Sequence, residues 1–432
     1  MNKNVVFTIV AKNYIGLAQI LESSFKMHND SDDFYIIVAD DFADNKKRET
    51  LPPNILIAKD ILKMPPQNWV DMTFKYDLTE FCTSIKPSSF LYFVEKGYDK
   101  IIYLDPDVYV YNSFQPIHNM LENYSIVLTP HITSIRKIYN GELQESSFMG
   151  SGVFNLGFCG VRNTETSKKM LSWWHQRLLN NCFNDNYNFY FTDQKWMDFL
   201  PCYFSNKELH ISQHLGMNIA PWNYFERELF VENNEIKVRY REDEPSYESY
   251  PVLFVHYSGY NYFEMKNGNV VQKNIENLID YKDIKLITEV YVKSFKKNIE
   301  TFDNFIKEKY LFDFYENGEA ISKFHRRLYR SLVDKGMLFG NPFSVENNSL
   351  YQKLKKKGMI SKSTSNNVKL NRDNLNGMER KLKIFNAFTR ILYKTLGIDK
   401  YTLLIRLFGP FSRFESQIHL INSDFDKDNI KR

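Results

Sequence analysis

Cysteine is scarce in this chain, and its spacing excludes two common roles. The four cysteines stand at positions 82, 159, 182 and 202. They lack the close pairs that bind zinc and the density of a disulfide framework. We therefore expect reduced thiols in a cytoplasmic protein and no zinc site.

Long hydrophobic runs are also missing. The apolar run at residues 5–10 is too short for the core of a signal peptide, and no small-residue cleavage site follows it. No segment of the sequence is long and apolar enough to cross a bilayer. The run at 5–10 instead favours a first β-strand.

Glycine is sparse directly after that predicted strand. The turn there reads Ala11-Lys-Asn-Tyr-Ile-Gly16 and contains one glycine. Many nucleotide-binding enzymes, nucleotidyltransferases among them, carry a glycine-rich phosphate loop at this place. The composition of the turn therefore counts against a nucleotidyltransferase.

The sequence is long and has many aromatic side chains. It has 432 residues, a formal net charge of +4 and 16% aromatic residues. The length exceeds that of most compact domains, so we expect one catalytic domain and a smaller appendage. The aromatic content indicates stacking surfaces or interfaces, with genomic base composition as the alternative explanation.

The first 282 residues alternate between strand and helix patterns. β-Branched and aromatic runs at 5–10 and 34–39 flank a helical pattern at 15–25, which predicts a β-α-β unit. Helices are predicted within 73–96 and at 168–179, and further strands at 101–104, 126–129, 153–161 and 251–259. We therefore predict an α/β fold over residues 1–282, with a mostly parallel central sheet flanked by helices.

Beyond residue 282 the pattern becomes helical and basic. Helices are predicted near 285–311, 319–335, 349–357 and 378–408. We divide this part into a helical extension (283–360), a Ser/Asn-rich linker (361–377) and basic amphipathic helices (378–432). Phe and Leu alternate there with Lys and Arg, which suits an anionic membrane surface along 378–414. A helix docked on the catalytic domain or on another subunit fits the pattern equally well.

Two aspartates end the most hydrophobic of the predicted strands. Ile101 to Leu104 has the composition of a strand buried on both faces, and Asp105-Pro-Asp107 follows it. Ligands of α/β sheets bind at the carboxyl ends of strands, and hard divalent cations prefer carboxylate oxygens. Pro106 fixes its own φ and so stiffens the turn that presents both carboxylates. The pair predicts a metal site, with a solvated turn as the alternative.

These features together resemble the Rossmann-like GT-A fold of nucleotide-sugar glycosyltransferases, over roughly residues 3–265. The likeness is to retaining enzymes of the glycogenin and bacterial lipopolysaccharide galactosyltransferase type, glycosyltransferase family 8. Tyr103-Leu-Asp-Pro-Asp107 is similar to the family's strand-end Asp-x-Asp, and His256-Tyr-Ser-Gly259 to its late His-aromatic-x-Gly segment. The resemblance implies that Mn²⁺ or Mg²⁺ is held by Asp105, Asp107 and His256.

The same resemblance implies where the nucleotide-sugar donor binds. The end of the first strand and Asp40 would contact the nucleoside, and Lys86 would neutralise the pyrophosphate. Ser151-Gly-Val-Phe-Asn-Leu-Gly157 is similar to a family segment in which small residues let the backbone approach the sugar, although its Asn155 follows Ser-Gly instead of preceding it. The implied donor contacts are Thr8, Val10, Ala11, Asn13, Tyr14, Asp40, Lys86, Asp105, Gly152, Asn155, Ser258 and Gly259. The alternatives are an ordinary solvated lysine for Lys86 and partly buried packing for Tyr14.

The implied catalytic residues are Asp193 and Gln194. Thr192-Asp-Gln-Lys195 resembles the family's Asp-Gln-Asp, in which the first acid binds sugar hydroxyls and the glutamine lies near the anomeric carbon. Lys195 replaces the family's second acid, which leaves the identity of the sugar open. The alternative for Asp193 is a helix N-cap. Asn218 stands in an aromatic loop that suits an acceptor surface.

The resemblance implies a metal-dependent transfer of a hexose from a nucleoside-diphosphate sugar, with a lean to UDP, to a glycan or lipid-linked glycan acceptor. Because Gln194 is a poor nucleophile, we favour front-face attack with retention of configuration. Bacterial surface polysaccharide assembly, at the inner face of the cytoplasmic membrane, is the expected setting. The alternatives are a protein acceptor such as an adhesin or flagellin, a nucleotide-sugar hydrolase, and a non-catalytic scaffold. No nucleic-acid recognition motif is present.

Overall fold

The chain divides into two compact units. The computed structural model describes residues 3–42, 44–241, 248–275, 278–337, 340–360 and 378–421. The first unit comprises Met1–Asn68 and Leu78–Leu311, and the second comprises Trp69–Asp77 and Phe312–Arg432. The linker expected at 361–377 lies outside the described residues, as do residues 422–432 of the last predicted segment.

Strands occur in the first unit, most of them short. They are β1 (Asn4–Val10), β2 (Asp33–Val38), β3 (Ile55–Ile57), β4 (Lys100–Leu104), β5 (Val108–Val110), β6 (Ile126–Leu128), β7 (Phe158–Arg162), β8 (Asn184–Asp185), β9 (Tyr190–Phe191), β10 (Leu209–Ile211), β11 (Arg227–Glu232), β12 (Glu235–Tyr240), β13 (Tyr250–Pro251) and β14 (Phe254–His256).

A seven-stranded sheet forms the centre of the first unit, in the order β10-β6-β7-β4-β1-β2-β3. The pairs β1/β2, β1/β4, β2/β3 and β6/β10 are parallel, and β7 runs antiparallel to both of its neighbours. Every residue of β4 is buried, as expected for an interior strand covered on both faces. The predicted α/β fold with a mostly parallel sheet is therefore confirmed.

Helices flank the sheet and make up the described parts of the C-terminal region. They are α1 (Ile15–Lys26), α2 (Asn45–Glu49), α3 (Ala58–Ile61), α4 (Pro66–Lys75), α5 (Leu78–Ser84), α6 (Lys86–Glu95), α7 (Gln115–Asn123), α8 (Glu145–Ser151), α9 (Glu165–Asn181), α10 (Leu200–Tyr203), α11 (Tyr262–Lys266), α12 (Lys285–Lys297), α13 (Ile299–Phe305), α14 (Lys323–Asp334), α15 (Leu350–Lys356) and α16 (Met378–Phe408).

The first unit continues past residue 282, where composition suggested a boundary, to Leu311. The reason is the apolar face of α12. Its Ile287, Tyr291 and Phe295 are buried in one cluster with Val255 of β14, and Phe302 of α13 belongs to the same cluster. A helix with basic exposed residues can thus still belong to the α/β core, since burial follows its apolar stripe.

The second unit has a core of its own, in which Arg326 of α14 is almost fully buried. One end of its guanidinium donates hydrogen bonds to the main-chain carbonyls of Thr73, Phe74 and Tyr76, at 2.7–3.2 Å. The other end donates to the carbonyl of Phe312 and to the Asp313 carboxylate. A single side chain therefore joins the two separate chain segments of this unit.

Helix α16 bends at Gly397, where φ is 75° and ψ is 166°. Many of its large apolar side chains are exposed, among them Phe385 at 57% and Leu403 at 69%. Within the described residues, no helix combines the length and hydropathy that crossing a membrane requires. The helix expected at 378–408 is therefore present as two helical segments that meet at Gly397.

Several predicted elements differ in detail. The helical region at 73–96 is three helices, α4 to α6, and the strand expected at 153–161 begins only at Phe158. The apolar run at 251–259 is split between β13 and β14, which belong to different sheets. Val252 and Leu253, between the two strands, are buried. Their backbone N–H groups donate to the carbonyls of Ile236 and Gly216, so neither residue is part of β13 or β14.

Candidate active site

The two aspartates lie in a tight turn between β4 and β5. The Asp105 backbone N–H donates to the Gly157 carbonyl at 2.9 Å, and the Val108 N–H returns to the Asp105 carbonyl at 3.1 Å. The turn is thereby tied both to itself and to the segment before β7. Both carboxylates are held at the carboxyl end of the central strand β4.

A second strand brings a histidine to this turn. β14 pairs antiparallel with β5, and His256 stands opposite Val108. The next residue, Tyr257, donates its backbone N–H to the Asp107 carbonyl at 2.8 Å. His256 Nε2 lies 3.0 Å from Asp107 Oδ1 and 3.7 Å from Asp105 Oδ2. A pairing between chain segments about 150 residues apart thus gathers the three side chains.

These three side chains have the geometry and chemistry of a divalent-cation site. One ligand atom from each of Asp105, Asp107 and His256 lies within 4.8 Å of the other two. Two carboxylate oxygens and an imidazole nitrogen suit Mn²⁺ or Mg²⁺. Burial favours the neutral form of Asp107, but the adjacent imidazole outweighs it and lowers the pKa of this carboxyl. Asp107 is therefore a carboxylate at neutral pH.

Two tyrosines support the carboxylates, and no role was expected of either from the sequence. The Tyr103 hydroxyl donates to Asp105 Oδ1 at 2.6 Å. The Tyr262 hydroxyl shares its proton between the Tyr257 carbonyl at 2.9 Å and Asp107 Oδ2 at 3.1 Å. Burial and the nearby carboxylates raise the pKa of both phenols well above the usual value, so both remain donors. Partners of this kind orient ligand carboxylates. Tyr103 belongs to the segment Tyr103-Leu-Asp-Pro-Asp107 itself, whereas Tyr262 is distant in sequence and only the fold brings it close to Asp107.

Lys86 is buried between two acids. Its Nζ lies 2.9 Å from Asp193 and 3.5 Å from Asp105, and it donates to the Leu156 carbonyl at 2.9 Å. Burial opposes the charge, but the two carboxylates prevail and raise the pKa of the ammonium group. The alternative of a solvated lysine is therefore wrong. The structure brings Lys86 to the turn between β4 and β5, where it links Asp105 to Asp193.

Asp193 is likewise buried, at the start of a 3₁₀ helix that spans Gln194–Phe199. Its Oδ1 accepts a hydrogen bond from the Thr192 hydroxyl at 3.0 Å, and its backbone carbonyl accepts one from the Trp174 indole at 3.1 Å. It occupies the N-cap position, but its side chain makes no capping hydrogen bond. Burial raises the pKa of this carboxyl even though Lys86 opposes the shift. The side chain is oriented toward Lys86 instead of capping the helix.

The amide of Gln194 is engaged at both ends. Its Oε1 accepts from the Leu156 N–H at 3.1 Å, and its Nε2 donates to the Ser151 carbonyl at 2.9 Å. The intervening Gly152 has a φ of 108°, a conformation that favours glycine. Lys195, which replaces the acid of the resembled motif, pairs with Asp198 at 2.8 Å. Gln194 therefore secures the 151–156 segment, and the charge of Lys195 is neutralised by its own neighbour.

Hydrogen-bonded polar side chains contact this segment. His131 Nδ1 faces the Val153 carbonyl and its Nε2 faces Asn155 Nδ2, each at 3.3 Å. Burial lowers the pKa of His131 to about 4, so the imidazole is neutral and accepts from Asn155. Asn218 is fully buried next to Asn155, which contradicts its expected place on an acceptor surface. No local sequence pattern pointed to His131.

The residues expected to contact the nucleoside gather at the ends of β1 and β2. Thr8 Oγ1 and Asn13 Oδ1 are buried without a hydrogen-bond partner among the described residues. Burial and the charge of Asp107 raise the pKa of Tyr14. The Val10 carbonyl is engaged, since it accepts from the Ala39 N–H at 2.7 Å, and Ala11 accepts from Tyr14 at 2.8 Å.

Asp40 is already occupied by protein groups. It accepts hydrogen bonds from the Lys12 backbone N–H at 2.8 Å, from Lys12 Nζ at 2.7 Å and from the Leu311 N–H at 3.0 Å. The expected contact with a base or ribose would have to compete with this ion pair. In this structure Asp40 fastens the segment after α13 to the end of β2.

Ser258 and Gly259 form the turn after β14. Gly259 has a φ of 77°, and a Cβ there would come within 2.9 Å of the Asn274 side chain. The Ser258 carbonyl accepts from the Gln272 amide at 3.1 Å. This turn directly follows His256 in the chain.

Comparison with known proteins gives distant relatives. No protein-family model matches the chain. It is 25% identical over 301 residues to the uncharacterized protein YfnD of Bacillus subtilis (strain 168), an alignment that covers 68% of this chain and 89% of YfnD. Among solved structures it is similar to the galactosyltransferase LgtC in complex with donor and acceptor sugar analogs, with a TM-score of 0.37, 18% identity, and coverage of 59% of this chain and 87% of LgtC. It is also similar to the glycosyltransferase GlyE of Streptococcus pneumoniae TIGR4, with a TM-score of 0.38, 15% identity, and coverage of 73% of this chain and 67% of GlyE. Both of these solved structures are glycosyltransferases.

Proposed function

We propose that this chain is a metal-dependent glycosyltransferase that moves a hexose from a nucleoside-diphosphate sugar, most readily a UDP-sugar, to a glycan acceptor. The observation that supports this most directly is the convergence of Asp105, Asp107 and His256 beside the buried Lys86–Asp193 pair. Ligand sites of α/β sheets lie at the carboxyl ends of the strands, and this cluster lies there.

Asp105, Asp107 and His256 would hold Mn²⁺ or Mg²⁺. When bound, such an ion supplies Lewis acidity to the departing diphosphate. Tyr103 and Tyr262 keep the two carboxylates in position, since each hydroxyl donates to one of them. The ligand set is thus ordered by the protein itself.

The charges of Lys86 and Asp193 support a role on the sugar side. Lys86 adds a fixed positive charge next to Asp105, and fixed charges in a dry site stabilise developing negative charge. It also holds Asp193 in place, so that the carboxylate can accept hydrogen bonds from sugar hydroxyls. The two charges are nearly neutralised without a substrate, which limits the cost of burying them.

The arrangement favours retention through front-face attack. Gln194, the residue expected near the anomeric carbon, has its amide oxygen bonded to Leu156 N–H and its amide nitrogen to Ser151 O. A neutral amide held in this way is a poor nucleophile. In the front-face route the acceptor hydroxyl attacks the anomeric carbon from the side of the leaving phosphate. The bond between the anomeric carbon and the phosphate oxygen breaks, and that oxygen takes the proton of the acceptor hydroxyl.

Isothermal titration of UDP with and without Mn²⁺ tests the proposal. We expect binding that needs the metal, and at least tenfold weaker binding by Asp107→Asn. Asp33→Asn is the matched control. Asp33 is a carboxylate at the start of β2, whereas the candidate site lies at the carboxyl ends of the strands, and it pairs with Lys3. If neither UDP nor other nucleoside diphosphates bind with Mn²⁺ or Mg²⁺, the transferase proposal fails and a non-catalytic scaffold replaces it.

Helix α16 supports a lipid-linked acceptor at an anionic membrane. Exposed Phe385, Phe388 and Ile391 lie among basic residues. Between 378 and 414, the basic residues Arg380, Lys381, Lys383, Arg390, Lys394, Lys400, Arg406 and Arg413 outnumber the acidic residues Glu379 and Asp399. Exposed apolar side chains among basic residues suit the interface of anionic lipids. Surface polysaccharide assembly at the inner face of the cytoplasmic membrane is the corresponding role.

Flotation with phosphatidylglycerol and phosphatidylcholine vesicles tests the membrane contact. We expect binding to the anionic vesicles, reduced about 10-fold or more by Phe388→Glu, because burying one Phe side chain contributes about 1.5–3 kcal/mol. Phe263→Glu is the matched control, since Phe263 is 54% exposed and Phe388 is 55% exposed. Equal loss in both variants, or no binding by the wild type, would refute this contact.

A further inference from the structure

The orientation of His256 follows from a chain of hydrogen bonds that starts at a backbone amide. The Gly157 N–H, which can only donate, points to Asn155 Oδ1 at 3.0 Å. The atom of Asn218 that lies 3.0 Å from this oxygen must therefore be its nitrogen, Nδ2. The same Nδ2 donates to Thr129 Oγ1 at 2.9 Å. The amide orientation of Asn218 is fixed by these two contacts.

The remaining end of Asn218 faces the imidazole. Its Oδ1 lies 3.3 Å from His256 Nδ1, and a carbonyl oxygen can only accept. His256 Nδ1 must therefore carry a proton, whatever the state of the other ring nitrogen. Nε2 is the nitrogen that faces Asp105 and Asp107. The two ring nitrogens thus have separate partners.

The surroundings hold Asn218 in place. Its side chain is fully buried, and its φ of 54° is a left-handed conformation that asparagine tolerates better than most residues. Its carbonyl accepts from Asn223 Nδ2 at 3.0 Å, and the next residue, Ile219, accepts the His256 backbone N–H at 2.8 Å. The loop of Asn218 and the strand of His256 are therefore bonded through both backbone and side chain.

We propose that Asn218 is a positioning residue for the metal site: by holding the Nδ1 proton of His256, it reserves Nε2 for a divalent cation. This inference rests on the proposed function, because it needs the cation that the Asp105, Asp107 and His256 cluster would bind. It also links the cation to the 151–157 segment through Asn155. Outer partners of this kind change metal affinity about 10- to 100-fold.

The test measures Mn²⁺ binding by electron paramagnetic resonance, without nucleotide or turnover. We expect wild-type protein to bind Mn²⁺ with the spin-echo modulation of a ¹⁴N ligand, a signal absent from His256→Gln. Asn218→Ala should bind Mn²⁺ about 10- to 100-fold more weakly, with the ¹⁴N signal diminished. Asn218→Asp keeps an acceptor for the Nδ1 proton, so it should retain the ¹⁴N signal.

Asn29→Ala is the matched control for loss of a buried asparagine. Asn29 is 6% exposed. It accepts a hydrogen bond from the Phe114 N–H and donates one to the Phe25 carbonyl, and among the described residues it has no hydrogen bond to Asn155, Asn218 or His256. It should keep the wild-type ¹⁴N signal. Thermal unfolding of each variant verifies that it is folded.

The outcomes separate the two proposals. Wild-type affinity and ¹⁴N signal in Asn218→Ala would overturn the role of Asn218 and leave the proposed function standing. Equal losses in Asn218→Ala, Asn218→Asp and Asn29→Ala would also overturn it, since they would reflect packing alone. If wild-type protein fails to bind Mn²⁺, the metal site itself fails, and the role of Asn218 fails with it.

Discussion

Replacing Lys86 by methionine removes the ammonium group that pairs with Asp193 and Asp105. Asp193 would then remain as a buried carboxylate, since its side chain is only 3% exposed. Breaking a buried ion pair from one side costs about 3–5 kcal/mol. Asp105 contributes less to this cost, because it is 28% exposed and water can solvate it. We therefore expect Lys86→Met to lower the free energy of unfolding by about 3–5 kcal/mol at pH 7.

Urea denaturation of the two single variants and the double variant measures this effect. Asp193→Asn alone should cost less than Lys86→Met, because Lys86 retains Asp105 and the Leu156 carbonyl. The double variant should be more stable than the sum of the single losses predicts, by about 1–3 kcal/mol. Lys63→Met is the control, since Lys63 pairs with Glu95 in an exposed ion pair. It should change stability by about 0.5 kcal/mol or less.

The pH dependence gives an independent check. Burial already raises the pKa of Asp193, so the folded state takes up this proton at a higher pH than the unfolded chain does. Stability then rises as the pH falls through the interval between the folded and unfolded pKa. The deficit of Lys86→Met should therefore shrink on acidification. A loss below about 1 kcal/mol at pH 7, or strict additivity with Asp193→Asn, would refute the reasoning.

Substitutions at Gly157, Arg326 and His214 should each change one measurable property of the protein. Gly157→Ala should weaken Mn²⁺ binding in a calorimetric titration, because its Cβ would lie 2.3 Å from the His256 ring; unchanged affinity would contradict the packing. Arg326→Met should destabilise the second unit by about 3–5 kcal/mol, because buried carbonyls lose their donors; limited proteolysis with unaltered fragments would argue against it. Burial lowers the pKa of His214 to about 4, so up to about 3 kcal/mol of stability should be lost as the pH falls from about 6.5 to about 4. His214→Gln should flatten that part of the stability curve, and an unchanged slope would count against the prediction.

Local patterns were sufficient for three strands of the central sheet but predicted neither β3 nor β10. β1, β2 and β4 are runs of β-branched and aromatic residues, and each begins within one residue of its predicted start. The aspartates after β4 were recognised because the strand before them ends abruptly in charge. Features with a local cause can be read from a short window of sequence.

Features with a distant cause could not be read in this way. The β5–β14 pair depends on contacts between residues 108–110 and 254–256. The burial of Lys86 depends on its position beside Asp193, and no property of its own helix distinguishes it from an exposed lysine. The hairpin of β11 and β12 was missed although Asn233 and Asn234 have the positive φ values of a tight turn, because Asn-Asn is a less distinctive turn signal than Asn-Gly.

The pairing of β5 with β14 also sets the time at which the site can form during synthesis. Asp107 precedes His256 by 149 residues (256 − 107), and a ribosome adds roughly 5–20 residues per second. For about 7 to 30 seconds after the aspartates are made, the nascent chain lacks His256, the third residue of the proposed metal site. A chain that stops anywhere in this interval contains both carboxylates but not the imidazole. Such a fragment would have the recognisable strand-end motif without the complete ligand set.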